Sequence, residues 1–455
     1  MPPLQPIRGQ RVTIIGGARS GRAAAELLHR LGAEVFVTDQ GLLPQPTREA
    51  LLRQGISYEE GGHSERALEA DWAVISPGVP TEAPLVQALL ERGLPLYSEL
   101  ELASWFCPAP IVAITGTNGK TTTTALIGHI FRRSGRPTVV AGNIGAPFSD
   151  FVLRLSPEHM VVLEVSSFQL DHVLSFRPHV AAILNISPDH LDRYGGSFAR
   201  YAEAKFRIAA HQTPQDFLLY NADDPVVGPF GVDPHTPVQA RRLGFSLERE
   251  LPEGAFLRGR ELVVRVDQQE WGIAMEHLNL RGRHNLYNSL AAALAARVME
   301  IRQDVVRESF QTFEGVPHRL EFVRQLDGVL YVNDSKATNV NSVWYALESF
   351  EQPIVLIMGG RDKGNDYSKI KPLVARKVRV LITIGESAHK IEQELGGLVE
   401  LLVPARSLED AVRSARALAR PGEVVLLSPA CASFDMFENY EHRGDTFKRL
   451  VLALE

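Results

Sequence analysis

The chain has 455 residues, too many for one core, and its length sets an expectation of about three domains. Hydrophobic residues at 45% and charged residues at 22% describe a globular protein, and a formal net charge of −6 argues against a nucleic-acid partner. No apolar run is long enough to span a bilayer, no charged leader with an apolar core is seen, and Cys107 and Cys431 stand far apart in no metal-ligand spacing. A cytoplasmic protein with reduced thiols and no membrane insertion is expected.

The first segment, residues 1–107, begins with Val12-Thr13-Ile14-Ile15, a β-branched run that predicts a strand. Gly16-Gly17-Ala18-Arg19-Ser20-Gly21 then leads into an alanine-rich helix ending near Gly32. Glu34–Thr38 is the next strand, and Asp39 ends it. Strand, glycine turn, helix and strand make a Rossmann-like unit. The dinucleotide fingerprint asks for glycine where this chain has Ala18, which counts against NAD but leaves the helix N-terminus open to another nucleotide. Asp39 is placed to bind a sugar hydroxyl or a base edge, or to be a strand-end turn residue. Ala73–Ser76 predicts a further strand, followed by the Pro77-Gly78 turn.

The second segment, residues 108–315, opens on Ile111–Ile114, a buried strand, followed by Thr115-Gly116-Thr117-Asn118-Gly119-Lys120-Thr121-Thr122 and a run with helical apolar spacing. In such a turn the backbone N–H groups and the helix dipole attract phosphate, Lys120 adds a mobile positive charge, and the Thr121 hydroxyl can ligate Mg2+. The P-loop pattern is incomplete, because its first glycine falls on Ile114 and Gly116 lies inside the loop. Thr138–Ala141 is a strand with the tight turn Gly142-Asn143-Ile144-Gly145 after it. Met160–Val165 is a buried strand whose one charge, Glu164, needs either a paired cation or a metal to offset its burial. Ser166-Ser167-Phe168-Gln169 follow on the exit loop. Val180–Ile186 predicts a strand whose loop carries Asp189-His190-Leu191-Asp192-Arg193-Tyr194. His190 is either a metal or phosphate residue at a strand end or an ordinary loop histidine. A helix from about Ser197 to Ala210 holds Lys205, which by its neighbours alone reads as a surface lysine. Phe217–Asn221 is a strand, residues 255–273 look like short antiparallel strands, and Gly282–Asn288 opens an alanine-rich helix whose Asn285 and Asn288 could cap it or read a base edge.

In the third segment, residues 316–455, strands are predicted at Val329–Val332, Ile354–Met358, Val380–Ile384 and Val424–Ser428. They alternate with helical patterns and give a second doubly wound sheet. Polar residues concentrate after the strands, as in Asn333-Asp334-Ser335-Lys336-Ala337-Thr338-Asn339 and Pro429-Ala430-Cys431-Ala432-Ser433.

The nucleotide loop at 115–122 resembles that of the Mur ligases and folylpolyglutamate synthetases. Together with Gly142–Gly145, Glu164–Leu170, Asp189–Tyr194, Asn333–Asn339 and Ser428–Ser433, in that order along essentially the whole chain, it resembles the D-glutamate-adding branch of the Mur ligases. Folylpolyglutamate relatives lack the N-terminal UDP-binding domain, and the Asp-Asn-Pro-Arg loop of the diaminopimelate-adding Mur ligases is absent. The resemblance implies an α/β protein of three domains: a Rossmann-like domain for the UDP-substrate (1–107), a P-loop-type ATPase domain with a mostly parallel sheet (108–315), and a Rossmann-like amino-acid-binding domain (316–455). It implies ATP-dependent joining of D-glutamate to UDP-N-acetylmuramoyl-L-alanine through an acyl phosphate, by a monomer.

The resemblance also assigns residues. Gly116, Thr117, Asn118, Gly119, Lys120, Thr121 and Thr122, with Asn285, Asn288, Arg319 and Asp334, bind ATP. Thr121 and Glu164 hold one Mg2+, and His190 with Lys205 as a carbamate holds a second, which replaces the surface reading of Lys205. Ser20, Asp39, Ser76, Pro77 and Gly78 take the uridine diphosphate, with Asn143, Ser166, Gln169 and His190 nearer the muramoyl-alanine end. Lys336, Thr338, Lys363, Ser433 and Tyr440 seat D-glutamate. Competing readings are a Mur ligase for another amino acid, a nucleotide-driven switch protein and a nicotinamide-dependent oxidoreductase.

Overall fold

The computed structural model describes residues 7–280, 282–362 and 364–455. They form two compact units, Met1–Asn279 with Tyr287–Phe313, and Leu280–Leu286 with Glu314–Glu455. The expected D-glutamate residue Lys363 lies outside the described residues.

The first unit carries two sheets. Strands β1 (Arg11–Ile15), β2 (Glu34–Asp39), β3 (Ser57–Glu60), β4 (Trp72–Ile75) and β5 (Leu96–Ser98) pair in parallel in the order β3-β2-β1-β4-β5. This is a doubly wound order, with its switch point between β1 and β4. The helix Arg19–Arg30 packs on it through buried Ala23, Ala24, Ala25, Leu27 and Leu28, the small residues permitting close approach.

The second sheet holds nine strands: β6 (Ile111–Thr115), β7 (Thr138–Gly142), β8 (Met160–Glu164), β9 (Val180–Ile183), β10 (Phe217–Asn221), β11 (Arg241–Ser246), β12 (Gly254–Arg258), β13 (Glu261–Val266) and β14 (Gln269–Ala274). Its order is β14-β13-β12-β11-β10-β9-β6-β8-β7. Pairing is parallel except at β12–β13–β14, the antiparallel stretch expected near 255–273. The central strands β6, β8 and β9 are buried along their whole length, which is why they read as unbroken apolar runs.

The second unit is one sheet of six strands, β15 (Glu321–Leu326), β16 (Val329–Asn333), β17 (Ile354–Gly359), β18 (Val378–Ile384), β19 (Leu401–Pro404) and β20 (Val424–Leu427), ordered β15-β16-β20-β17-β18-β19. Only the edge strand β15 runs antiparallel. Two apolar layers enclose this sheet, one around Val343, Leu356 and Leu426, the other around Val355, Val425 and Phe447. The protein is thus α/β with three mostly parallel sheets, as expected. Among the described residues no helix is long and apolar enough to cross a membrane.

Candidate active site

Ile114, where the usual first glycine would stand, lies inside the buried strand β6, and the turn begins after Thr115, at Gly116. Gly116 adopts φ 150°, and a Cβ there would stand 3.1 Å from Leu184 Cβ. Gly119, at φ 84°, precedes the helix Lys120–Arg133, and a Cβ there would meet Asn288 Oδ1 at 2.4 Å. Both positions therefore need glycine. The loop after β9 braces the turn: Asn118 N donates to Asn185 Oδ1 at 2.9 Å, and Asn185 Nδ2 donates to Asn118 O at 3.0 Å. Thr117 is buried, its hydroxyl donating to Ser187 O at 3.1 Å and accepting from Ser187 N at 3.0 Å. Thr123 donates its hydroxyl to Asn288 Oδ1 at 3.2 Å, which places Asn288 against the helix that follows the loop. Lys120 Nζ donates to the carbonyls of Gly116 and Thr117 at 2.9 Å, so its ammonium stands at the turn.

Two buried charges flank this loop. In register, Glu164 on β8 lies beside Ile114. Its Oε1 accepts from Asn143 Nδ2 at 2.8 Å, while Oε2 is buried with no hydrogen-bond partner. Lys205 is 2% exposed, so the surface reading fails. Local sequence could not reveal this, because Lys205 is covered by Gly116 and Tyr201: its Nζ donates to Gly116 O at 2.9 Å and sits 4.6 Å from the Tyr201 ring centre. Burial, then the neighbouring Lys120 charge, hold the Lys205 amine well below the ordinary lysine range, against the pull of Asp189, Asp171 and Glu164. His190 takes a left-handed φ of 51° at the head of the turn Leu191–Tyr194, with its ring edge-on to Phe168 at 5.3 Å. Among the described residues no group of three or more His, Cys, Asp or Glu side chains forms a metal cage.

A cavity of about 720 Å³ opens at the C-terminal ends of β1, β2 and β4, the switch point where open α/β sheets bind ligands. Ser20, Asp39, Ser76, Pro77, Gly78, Asn143 and Gln169 all line it. Ser166 and His190 are outside the lining. Asp39 serves its own turn too: its carboxylate accepts from Gly17 N at 2.8 Å and Gly41 N at 2.9 Å. A Cβ at Gly21 would lie 1.8 Å from Gly16 O, so the helix meets the loop as closely as backbone allows. Ser166 caps the helix Ser167–Leu170 reciprocally with Gln169, which orients Gln169 at the cavity wall.

In the second unit, the loops after β16, β17 and β20 come together. Arg443, which carried no expectation from the sequence, is 1% exposed and ties the first of these to the last: Nε donates to Ser335 Oγ at 3.0 Å, and Nη2 to Ser335 O at 2.9 Å and Cys431 O at 3.2 Å. Burial lowers its pKa to about 10. Lys336 Nζ stands 5.2 Å from the Tyr440 ring centre, and Thr338 follows on the same loop. Ser433 is buried on the neighbouring loop, where Arg361 N donates to Ala432 O at 2.9 Å. Asp334 is buried, accepts from Ser428 Oγ at 2.8 Å and from Leu320 N at 3.2 Å, and is pushed up to about 7 by burial, against the Arg319 charge. That charge also reaches His284, the neighbour of Asn285.

Three family models match the chain in order: MurD N-terminal domain over residues 11–84, Mur ligase middle domain over 114–296, and Mur ligase, glutamate ligase domain over 318–431. The UDP-N-acetylmuramoylalanine--D-glutamate ligase of Salinibacter ruber is 56% identical over 454 residues, covering 98% of this chain and 99% of that protein. That of Chloroherpeton thalassium is 48% identical over 464 residues, with 98% and 99% covered. Among solved structures, the UDP-N-acetylmuramate-alanine ligase of Thermotoga maritima aligns with a TM-score of 0.61 at 18% identity over 98% of this chain and 99% of that one. A pseudomurein peptide ligase type C from Methanothermus fervidus aligns at 0.59 and 21% identity, over 98% and 100%. These structural likenesses speak to fold, and the sequence relatives carry the assignment: the chain belongs to the Mur ligase family, in its UDP-N-acetylmuramoylalanine--D-glutamate ligase branch.

Proposed function

We propose that the chain is an ATP-dependent ligase that joins D-glutamate to UDP-N-acetylmuramoyl-L-alanine in peptidoglycan precursor synthesis. The observation that carries this reading beyond family membership is one juxtaposition. A glycine phosphate turn with Lys120 stands beside Glu164, a buried carboxylate with one unpartnered oxygen, and Asn143 both holds that carboxylate and lines the 720 Å³ cavity.

The chemistry needs positioning and charge neutralisation more than a covalent nucleophile. The substrate carboxylate attacks the γ-phosphorus of ATP, the bond to the β-bridging oxygen breaks, and ADP leaves. The neutral amine of D-glutamate then adds to the acyl carbon, gives up its proton to solvent, and expels phosphate with the electrons of the C–O bond. Loop amides from Gly116 to Thr122 and Lys120 hold the phosphates. Asn288 supports the loop from behind, while Asn285, Arg319 and Asp334 serve the nucleoside end.

Glu164 Oε2 and the Thr121 hydroxyl suit Mg2+, a hard cation that takes a carboxylate, a hydroxyl and phosphate oxygens in preference to an all-protein cage. When bound, Mg2+ neutralises the phosphate charge. A second ion fits His190 with Lys205 as a carbamate. A buried amine beside Lys120 is disposed to lose its proton, and its nitrogen can add to carbon dioxide with release of one proton. Ser20, Asp39, Ser76, Pro77 and Gly78 take the uridine diphosphate, and Asn143, Ser166, Gln169 and His190 the sugar and alanine. Lys336, Thr338, Lys363, Ser433 and Tyr440 receive the two carboxylates of D-glutamate, for which cations and hydroxyls are the matching partners. We read the three sheets as domains bounded near residues 107 and 315, in a cytoplasmic monomer.

The test is product formation from UDP-N-acetylmuramoyl-L-alanine, ATP and Mg2+ with D-glutamate, L-glutamate, L-lysine or diaminopimelate. A new amide of the matching mass with D-glutamate alone is the expected result. A product with another amino acid would move the specificity, and phosphate release independent of the muramoyl substrate would overturn the ligase.

A further inference from the structure

The loop Ser76–Val79 walls one side of the large cavity, and a side chain from the turn Leu191–Tyr194, after β9, grips it. Arg193 donates Nη1 to Gly78 O at 3.3 Å and Nη2 to Pro77 O at 3.3 Å and Val79 O at 2.9 Å. Its guanidinium carbon stands 4.4 Å from the centre of the Phe168 ring, a cation–π distance. The same ring meets His190 edge-on at 5.3 Å. A planar fork on three carbonyls fixes direction in a way a flexible ammonium does not. The contacts therefore run without a gap from the cavity wall through Arg193 and Phe168 to the His190 imidazole.

We propose that Arg193 is a positioning residue that couples the cavity loop to His190, so that filling the cavity with the nucleotide end of the substrate sets the imidazole for phosphate chemistry. This rests on the ligase reading above. A ligand that holds the 76–79 loop in one arrangement holds the three carbonyls, hence the guanidinium, hence the ring that His190 packs against. Linkage makes the effect reciprocal: a nucleotide that orders His190 tightens the cavity loop by the same factor.

The test uses the full-length protein with 13C-labelled histidine. The His190 signal, one of 14, is assigned by its absence in His190→Gln. Saturating UDP-N-acetylmuramoyl-L-alanine is expected to shift it in the unaltered protein. In Arg193→Ala the substrate still binds, measured by equilibrium dialysis, but the His190 signal stays put and turnover at saturation falls about tenfold, within the usual range of coupling. Arg193→Lys keeps the cation without the fork and is expected to respond in part. It decides the matter if the alanine variant does not fold, and a full response from it would overturn the proposal. Thr81→Val cuts a different side-chain tie just beyond this loop, Thr81 Oγ1 with His172 Nε2 at 3.0 Å, and is expected to leave the His190 response intact. Loss of the response in Thr81→Val, an undiminished response in Arg193→Ala, or substrate that binds the unaltered protein without moving His190 would each overturn the coupling and leave the ligase standing. No binding to the unaltered protein would overturn the ligase reading and the coupling with it.

Discussion

Asp334→Asn is expected to stabilise the second unit at pH 8 while inactivating the enzyme. Asp334 is buried with no cation in hydrogen-bond contact among the described residues, and burial raises its carboxyl from 3.8 to about 7. Between those two values the folded protein holds a proton that the unfolded chain has released, so stability falls as pH climbs from about 4 to about 7. A shift of about 3 units at about 1.4 kcal/mol each puts the cost of the ionised form above pH 7 on the order of 4 kcal/mol. Asparagine keeps the local geometry, since its oxygen can accept from Leu320 N and its amide can donate to Ser428 Oγ. The charge is gone, and with it the pH dependence. For a unit of this size that amounts to a rise in melting temperature of roughly 10 °C at pH 8, shrinking towards zero near pH 4. Scanning calorimetry of ligand-free protein at several pH values reads the difference directly. A difference that does not vary with pH, or that grows towards acid, would refute the assignment of a raised Asp334. A stabilised variant that keeps full turnover would refute its place in the nucleotide site, because a costly charge is retained where function needs it.

Three further outcomes follow from the same geometry. Stripping carbon dioxide from enzyme and buffers should lower turnover, and bicarbonate should restore it; unchanged turnover would remove the carbamate on Lys205. Glu164→Gln leaves the contact with Asn143 possible but takes the charge from the unpartnered oxygen, so the Mg2+ concentration for half-maximal activity should rise roughly 100-fold, as for a perturbed metal ligand. An unchanged Mg2+ requirement would place the ion elsewhere. Gly21→Ala forces a methyl against Gly16 O and should cost about 1–3 kcal/mol as overpacking, together with weaker binding of the UDP-substrate. Normal binding and stability would mean that the loop gives way freely.

The buried parallel strands were legible because burial on both faces leaves an unbroken apolar signal, as in β8 and in β17. The phosphate turn was legible because its chemistry sits in consecutive residues. Strands with polar or broken patterns were not: the edge strand β3 reads Ser-Tyr-Glu-Glu, the interior strand β11 opens on two arginines, and the edge strand β19 ends in proline. Such strands borrow their definition from a neighbour, and local composition does not name it. The same holds for the site. Lys205 looks like any helix lysine until the carbonyl of Gly116, 89 positions earlier, is seen to accept its hydrogen bond. Arg193 and Arg443 act on backbone carbonyls brought from distant loops, for which no spacing in the sequence stands as a sign. His190, Glu164 and the 115–122 turn drew notice from their strand-end positions, yet their joint meaning came through the resemblance to the Mur ligases.

The most direct measurement follows oxygen. UDP-N-acetylmuramoyl-L-alanine labelled with 18O in its alanine carboxylate is turned over with ATP, Mg2+ and D-glutamate, and the released phosphate is analysed by mass. An acyl phosphate leaves one labelled oxygen in each phosphate, matched one for one with amide formed. Unlabelled phosphate, with the amide still made, would contradict carboxylate activation at the heart of the account; unlabelled phosphate with no amide would leave an ATPase in place of a ligase.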